Sequence, residues 1–157
     1  MEHLWAPWRI KYIQMEKPEG CILCDKPGES TDALNYILYR GDKNFIIMNS
    51  FPYNSGHLMV APYRHVASLE ELTDAELHEH FEIVRQSIKV LRQTYSPNGF
   101  NIGMNMGKVA GAGIDDHIHT HIVPRWQGDT NFMPVTADTK VVNEALAETY
   151  EKLKAKF

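Results

Sequence analysis

His117-Ile118-His119-Thr120-His121-Ile122-Val123 is a run in which histidine occupies every second position. An alternation of this kind predicts a β-strand, because successive side chains in a strand point to opposite faces of a sheet. The three histidines are therefore expected to share one face, and Ile118, Thr120 and Ile122 the other. Three histidines at this spacing indicate a functional surface more strongly than any single histidine does.

The spacing of the run also limits its chemistry. His117 and His121 should lie about 13 to 14 Å apart along an extended strand at roughly 3.4 Å per residue. One metal ion shared by all three rings, as in a zinc-dependent hydrolase, is therefore disfavoured. A central imidazole flanked by groups that donate hydrogen bonds or positive charge instead suits a phosphate. Neutral histidine is a competent nucleophile near pH 7, so His119 is the predicted reactive group.

The segment immediately upstream is rich in glycine, from Gly107 to Gly113. Such a loop can bring backbone N–H groups close to phosphate oxygens, although glycines also simply allow a chain to turn. Further upstream, β-rich runs separated by turn residues predict strands, and a fourth run follows Gly99. The predicted strands are Tyr36–Tyr39, Phe45–Met48, His57–Ala61, Phe100–Asn105 and His117–Val123.

Two segments have the period of amphipathic helices. The first begins at a capping box formed by Thr73 and Glu76 and ends near Tyr95. Its predicted apolar stripe is Leu77, Phe81, Val84, Ile88 and Leu91, and the nearby His78 and His80 are expected to be solvated. The second is predicted at about Lys140–Leu153, with Val142, Leu146, Tyr150 and Leu153 on one face. These elements sum to an α+β fold, a five-stranded antiparallel sheet with two main helices.

Length and composition favour one domain over residues 1–157, with an irregular N-terminal arm at 1–29 and a C-terminal helix within 139–157. The net charge of −4 argues against binding long nucleic acids, which needs a basic face. Residues 1–13 lack the continuous apolar run of a signal peptide or membrane span, so the cytoplasm is the expected compartment. In that compartment the Cys21 and Cys24 pair indicates a metal or redox site more often than a disulfide.

Together these residues resemble the histidine triad superfamily, whose signature is H-φ-H-φ-H-φ-φ, where φ is a hydrophobic residue. Thr120 is the single departure from it. Asn49, Gly56-His57 and Leu58-Met59-Val60 resemble the family's second strand pair, and the resemblance covers roughly Cys21 to Asp129. Further matches point to the fragile-histidine-triad branch, especially bacterial diadenosine tetraphosphate phosphorylases. They are Leu4-Trp5-Ala6-Pro7-Trp8-Arg9, Pro124-Arg125-Trp126, Gly128-Asp129 and the run from Asp129 to Pro134.

The resemblance implies a histidine-triad fold and an enzyme that cleaves dinucleoside polyphosphates or related adenylyl compounds. His119 would attack an α-phosphorus, and water or inorganic phosphate would release the adenylyl group from the histidine. His121 and His57 would support this step. Asn49 would hold the ribose, and the phosphates would be held by Asn105, Gly111, Ala112, Gly113 and Ile114. A homodimer is implied, with a tetramer as the alternative, and a purine-nucleotide-binding or sensing protein without catalysis is the alternative function.

The resemblance also implies a structural zinc ion held by Cys21, Cys24, His65 and His117. A closed tetrahedral site needs two ligands besides a C-x-x-C pair, and a filled site leaves no position open for water. The alternatives are a reduced pair without metal and, less favoured without a βαβ context, a redox motif. No organic cofactor, nucleic acid polymer or membrane is expected as a partner.

Overall fold

The computed structural model describes residues 20–111, 113–114, 116–130 and 144–157. Within them, the helices are α1 (Ile22–Gly28), α2 (Asp32–Asn35), α3 (Asp74–Tyr95) and α4 (Leu146–Lys154). The strands are β1 (Ile37–Arg40), β2 (Asn44–Met48), β3 (Leu58–Pro62), β4 (Gly99–Met104) and β5 (Thr120–Arg125). Short 3₁₀ turns occur at Leu69–Glu71 and Lys108–Ala110. None of the helices in the described ranges is long and apolar enough to cross a membrane.

The strands form one antiparallel sheet in the order β1-β2-β3-β5-β4, which confirms the predicted α+β fold. Each of the strands β1 to β4 starts within one residue of its predicted start. The prediction for β5 is wrong at its start, because the strand begins at Thr120 and not at His117. Thr120 pairs with Val60 of β3 and with Met104 of β4. His117 to His119 therefore precede the strand. The alternation of side chains between the two faces of a sheet does not apply to them.

Each face of the sheet is covered differently. One face packs against α3 and α4 through an apolar cluster that includes Leu58, Val60, Leu91, Ile122 and Leu153. The opposite face packs a smaller cluster against the segment that contains α1; its buried members are Leu23, Ile37, Phe45, Ile47, Met59 and Ala61. Because side chains alternate along β5, Thr120 and Ile122 face the helices, and His121 lies on the face of its strand partner Met59.

Helix α3 begins and ends where the sequence predicts. Thr73 and Glu76 form the capping box, and the helix ends at Tyr95. The predicted buried face is partly wrong, because Phe81 is 49% exposed and His80 is fully buried. The buried residues of α3 are Glu76, His80, Ile83, Val84, Ser87, Val90 and Leu91. Three of these residues are polar, so a pattern of apolar residues alone does not identify them as buried.

Two further predictions need correction. The arm at 1–29 is not irregular throughout, since α1 occupies Ile22–Gly28; residues 1–19 lie outside the described part of the chain. The C-terminal helix begins at Leu146, because Ala145 has the extended backbone of an N-cap residue. Tyr150 and Leu153 are buried on one face as expected. Val142 and the rest of 140–143 are not among the described residues.

Candidate active site

His119 lies one residue before β5, and its ring is 3% exposed. The Nδ1 atom of His119 lies 2.9 Å from the backbone carbonyl oxygen of His117. A carbonyl oxygen can only accept, so Nδ1 carries the hydrogen and Nε2 keeps its lone pair in the neutral ring. Burial lowers the pKa of His119, and the hydrogen bond to His117 opposes that shift. The ring therefore has the tautomer that a nucleophile at Nε2 requires.

His121 and His57 lie beside this ring and form a directed pair. The ring centroids of His119 and His121 are 4.7 Å apart. The backbone N–H of Tyr53 donates to His57 Nδ1 at 3.1 Å, so Nε2 of His57 carries the hydrogen and donates to His121 Nδ1 at 2.9 Å. In neutral His121 the hydrogen is then on Nε2. Burial, followed by the charges of His121 and His119, lowers the pKa of His57 to about 3.

Sequence reasoning missed Tyr53 as a site residue. Its ring centroid lies 4.7 Å from that of His57 and 6.2 Å from that of His121, and the residue is 46% exposed. The available signal is an aromatic residue in the turn-rich segment four residues before His57. A half-exposed ring tilted against the buried His57 and the half-buried His121 can also offer an apolar surface to a ligand.

A polar cluster joins this turn to the end of β5. The Asp129 carboxylate accepts from Arg125 Nε at 2.6 Å and Nη2 at 2.8 Å, and from Asn54 Nδ2 at 2.8 Å. Asn54 Nδ2 also donates to the carbonyl oxygen of Pro124 at 2.9 Å. The Arg125 guanidinium holds the pKa of the Asp129 carboxyl far below its usual range. These contacts explain physically why Pro124, Arg125 and Asp129 accompany the triad: they hold the His57 turn against the His121 strand.

The predicted binding residues that the structure describes lie outside its α-helices and strands. Asn49 Oδ1 accepts from the backbone N–H of Phe51 at 2.8 Å, an Asx turn. Asn105 Nδ2 donates to the carbonyl oxygen of Gly111 at 3.3 Å, and Gly111 has a positive φ of 83° that favours glycine. The side chain of Ile114 packs against the smaller apolar cluster. Ala112 lies outside the described residues, and Gly113 is half-buried.

The four predicted zinc ligands come together although they are distant in sequence. His117 Nδ1 lies 3.3 Å from Cys21 Sγ and 3.4 Å from Cys24 Sγ, and His65 Nδ1 lies 3.2 Å from Cys24 Sγ. Their ligand atoms all lie within 4.8 Å of one another. Helix α1 contributes to this arrangement, because residues three apart share one side of a helix turn. Burial raises the pKa of Cys24 to about 11, with further contributions from Cys21.

The orientation of both histidines suits a metal. His117 Nε2 donates to the carbonyl oxygen of Pro62 at 2.9 Å, which leaves the lone pair of Nδ1 directed at the cysteines. His65 Nε2 lies 3.6 Å from the carboxylate of Asp116. Such outer contacts to a carbonyl or carboxylate are typical of metal-ligating histidines. Tetrahedral zinc bound by sulfur and nitrogen separates neighbouring ligand atoms by roughly 3.3 to 3.8 Å, so the donor set and its spacing fit zinc.

His117 is therefore separated in space from the pair formed by His121 and His57. Its ring lies against the cysteines and 5.1 Å from the ring of His65, centroid to centroid. The expectation that all three histidines share one strand face is wrong for His117, because the strand starts only at Thr120.

The chain is similar to known proteins in sequence and in structure. The HIT domain family model matches residues 31–128. An AP-4-A phosphorylase of Mycobacterium tuberculosis is 36% identical over 157 residues, covering 95% of this chain and 80% of the relative. The asymmetrical bis(5'-nucleosyl)-tetraphosphatase of Schizosaccharomyces pombe is 36% identical over 93 residues, which cover 59% of this chain and 50% of the relative.

Solved structures agree with the fold. A Zn-bound histidine triad family protein from Mycobacterium smegmatis superposes with a TM-score of 0.69 at 24% identity, covering 87% of this chain and 92% of that chain. The NitFhit protein of C. elegans gives a TM-score of 0.63 at 28% identity, covering 78% of this chain and 27% of that chain. The family model spans well over half of the sequence, and it includes all of β1 to β5. The chain belongs to the histidine triad, or HIT, domain family.

Proposed function

We propose that this protein is an enzyme that cleaves dinucleoside polyphosphates such as diadenosine tetraphosphate through a covalent adenylyl group on His119. The observation that carries the proposal is the tautomer of His119. Its Nδ1 donates to the carbonyl oxygen of His117, so Nε2 is the nucleophilic nitrogen. The names of two relatives, an AP-4-A phosphorylase and a bis(5'-nucleosyl)-tetraphosphatase, point to the same substrate class.

The reaction has two displacements at one phosphorus. In the first, the lone pair of His119 Nε2 forms an N–P bond to an α-phosphorus, and the P–O bond to the remaining polyphosphate breaks with its electrons on that oxygen. Diadenosine tetraphosphate would lose ATP in this step. In the second, an oxygen of inorganic phosphate or water attacks the same phosphorus, and the N–P bond breaks. Phosphate as the acceptor yields ADP, and water yields AMP.

His121 and His57 support the displacements. His57 Nε2 donates to His121 Nδ1, which orients the His121 ring and directs its Nε2–H outward from that pair. A fixed N–H donor beside the nucleophile stabilises the charge that develops on phosphoryl oxygens. The lone pair of His57 Nδ1 accepts from the Tyr53 N–H, so the relay starts from the backbone. His57 is a positioning residue in this scheme, and His121 touches the substrate.

Asn49 and the loop after β4 are the proposed binding elements. Asn49 Oδ1 is engaged by the N–H of Phe51, so its Nδ2 group is the donor offered to a ribose hydroxyl. Asn105 braces the loop by donating to the carbonyl oxygen of Gly111. The N–H of Gly111 itself donates to the carbonyl oxygen of Lys108 at 3.0 Å, so the backbone N–H groups that follow it, up to that of Ile114, are the proposed phosphate contacts. Glycine lets the backbone approach a phosphate closely.

The test is product analysis with a matched pair of variants. Wild-type protein is incubated with diadenosine tetraphosphate, with and without inorganic phosphate, and the nucleotides are separated by chromatography. His119→Ala should abolish turnover while the affinity for nucleotide changes little. His78→Ala, which removes an exposed histidine of α3, should turn over at the wild-type rate. Full turnover by His119→Ala would contradict the proposal that His119 is the nucleophile.

The products also decide the acceptor. ADP with ATP, formed only when phosphate is present, identifies a phosphorylase, and AMP with ATP identifies a hydrolase. Binding of diadenosine tetraphosphate without any product over hours would instead support a nucleotide-binding or sensing protein of this fold.

We further propose that Cys21, Cys24, His65 and His117 hold a structural zinc ion. The ion would join α1 to the segments that follow β3 and precede His119. It would thereby fix the carbonyl of His117 on which His119 depends. A reducing cytoplasm suits this site, because thiolate ligands there stay unoxidised. Protein purified without chelator should contain one zinc per chain, and Cys21→Ser with Cys24→Ser should contain none; equal metal content in both would refute the assignment.

We also propose a homodimer. β4 lies at one edge of the sheet, and Ile102 in its middle is 45% exposed. An edge strand with an exposed apolar residue is a surface that a second copy can pair with or cover. Light scattering on a size-exclusion column should give the mass of two chains, and Ile102→Lys should lower it. Leu34→Lys, at an exposed apolar residue outside the sheet, is the control. A monomer in the wild type contradicts the proposal, and a mass of four chains supports the tetramer instead.

A further inference from the structure

Two buried polar residues lie behind the proposed nucleophile and take no direct part in the mechanism. Thr120 is 1% exposed and occupies a position where the family signature has a hydrophobic residue. His80, in the middle of α3, is 0% exposed. Thr120 Oγ1 and His80 Nε2 are 2.6 Å apart. The polar departure from the signature is therefore matched by a buried polar partner on the facing helix.

The direction of this hydrogen bond follows from the partners of Asn44. Asn44 Nδ2 donates to the carbonyl oxygen of Glu76 at 3.1 Å and to the Glu79 carboxylate at 2.9 Å. Its Oδ1 must then accept, and it lies 2.9 Å from His80 Nδ1, so Nδ1 of His80 carries the hydrogen. Nε2 of neutral His80 consequently accepts from the hydroxyl of Thr120. Burial lowers the pKa of His80 to about 4, which keeps the ring neutral at pH 7.

The other end of this hydrogen-bonded chain is anchored in the backbone. The Glu79 carboxylate accepts from the N–H groups of Asp42 and Lys43, each at 2.8 Å. The chain thus runs from the turn between β1 and β2, through β2 and α3, to β5. Every member has a donor or acceptor partner, and a fully satisfied buried network holds its members in fixed positions.

Thr120 is also the point at which the backbone leaves the sheet. It is the last residue toward the N-terminus of β5 that pairs with both neighbouring strands, with Val60 on one side and Met104 on the other. The next residue toward the N-terminus is His119, which has no pairing in the sheet. The side chain of Thr120 is therefore the anchor nearest to the nucleophile on the helix side of the sheet.

We propose that His80 is a positioning residue that acts through the hydroxyl of Thr120 to fix the backbone from which His119 leaves β5. The inference rests on the proposed function of His119 and adds residues that the mechanism does not otherwise use. Apolar packing at position 120 would fill the same space without a directional contact. Misplacing a reacting group by about 1 Å can cost on the order of 100-fold in rate, so such an anchor acts on turnover.

The first test compares two replacements of Thr120. Thr120→Val keeps the shape of the side chain and removes the hydroxyl, and Thr120→Ser keeps the hydroxyl and removes the methyl group. For diadenosine tetraphosphate, Thr120→Val should lower kcat by about 10- to 100-fold with KM nearly unchanged. Thr120→Ser should retain kcat within about threefold, since the hydroxyl that donates to His80 Nε2 is kept. Equal losses in both variants, or none in Thr120→Val, would overturn the proposal.

A second variant distinguishes an effect on the position of His119 from an effect on the stability of the protein. Thr120→Val alone leaves the buried lone pair of His80 Nε2 without a donor, which lowers the stability of the folded protein. The double variant His80→Leu/Thr120→Val removes both polar groups and should recover much of the melting temperature. Its kcat should nevertheless stay at least about tenfold below that of the wild type, because the directional anchor is missing. Recovery of kcat together with the melting temperature would show that the pair acts only through stability.

A third measurement does not depend on the reaction. In protein labelled with ¹⁵N-histidine, the nitrogen shifts of His80 should report hydrogen on Nδ1 and none on Nε2. The shifts of His119 should move in Thr120→Val and stay unchanged in Thr120→Ser. If the wild type turns over no nucleotide, the proposed function fails, and these shifts still test the anchor. His119 shifts that are identical in all three proteins would overturn it.

Discussion

At the scale of single residues, backbone groups decide what each imidazole can do. The carbonyl oxygens of His117 and Pro62 each accept from one ring nitrogen, and the N–H of Tyr53 donates to another. As a result His119 has its lone pair on Nε2, whereas His117 has it on Nδ1, facing the cysteines. Chemically identical side chains thus have opposite tautomers within three positions of the chain.

The burial of His57 leads to a prediction about acid. Burial lowers the pKa of His57 in the folded protein to about 3, whereas in the unfolded chain this pKa lies near its ordinary value of 6.5. The free energy of unfolding must therefore fall as the pH falls through this window. His57→Gln has no such group, so between pH 7 and about pH 4.5 it should lose about 2–3 kcal/mol less stability than the wild type.

Urea unfolding at the two pH values measures this difference. His78→Gln, at an exposed position of α3, serves as the control and should lose as much stability as the wild type. If His57→Gln and the wild type have parallel pH profiles, His57 is not buried in the neutral form.

The sequence was sufficient to predict His119, His121 and His57 as site residues through the family resemblance, and these roles stay predictions until tested. It could not assign tautomers, because the partner that fixes His117 is the carbonyl of Pro62, 55 positions away. The expectation that His80 is solvated is wrong. A histidine beside an apolar stripe is buried here because Asn44 and Thr120 satisfy both ring nitrogens, and both lie outside the helix.

At the scale of secondary-structure elements, the start of α3 is the best-determined boundary. Thr73 Oγ1 accepts from the N–H of Glu76, and the Glu76 carboxylate accepts from the N–H of Thr73. Thr73→Ala should lower the free energy of unfolding by about 0.5–2 kcal/mol. Thr94→Ala, in the last turn of the same helix, should cost nothing, because alanine is the better helix former. Denaturant unfolding compares the two, and equal effects would contradict the role of the cap.

The contact between the His57 turn and β5 gives a second prediction at this scale. Asp129→Asn removes the negative charge that accepts hydrogen bonds from both Arg125 and Asn54. The variant should therefore lower the free energy of unfolding by about 1.5–3 kcal/mol. Glu82→Gln removes a carboxylate from an exposed pair with Arg85 and should cost about 1 kcal/mol or less. Chemical denaturation of both variants checks this order, and a reversed order would show that the cluster at Asp129 does not join the two segments.

Element boundaries were predictable where local chemistry sets them and not where tertiary contacts do. The capping box fixes the start of α3, and turn residues fix the ends of β1 and β2. The start of β5 depends instead on pairing with Val60 and Met104, so alternation alone placed it three residues early. The buried face of α3 was misjudged at Phe81, because polar residues such as His80 and Ser87 lie inside through hydrogen bonds that a hydrophobic pattern does not reveal.

At the scale of the whole molecule, the Cys and His cluster connects segments that are far apart in sequence. Cys21 and Cys24 lie at the start of α1, His65 follows β3, and His117 precedes β5. Zinc at this point would stabilise the fold outright, since its binding free energy adds to folding. That residues 1–157 form a single domain stays a prediction, because residues 1–19 and 131–143 lie outside the described part of the chain.

Removal of the metal should accordingly affect stability before it affects chemistry. Treatment with a chelator should lower the melting temperature, and added zinc should restore it. At a temperature where the treated protein is still folded, its kcat should fall but not vanish, because no step uses the ion and only the positioning of the His117 carbonyl beneath His119 is lost. Cys24→Ser should have the low melting temperature with or without chelator. Loss of all turnover in folded, treated protein would show that the ion takes part in the reaction.

The most direct measurement is to trap the adenylyl group on the chain. Wild-type protein is mixed with diadenosine tetraphosphate, quenched within one turnover at a pH where the N–P bond survives, digested, and analysed by mass spectrometry. One adenylyl group is expected on the peptide that contains His119, located at that residue by fragmentation, and none is expected in His119→Ala. An adduct on another residue, or rapid turnover with no adduct at any quench time, would contradict it.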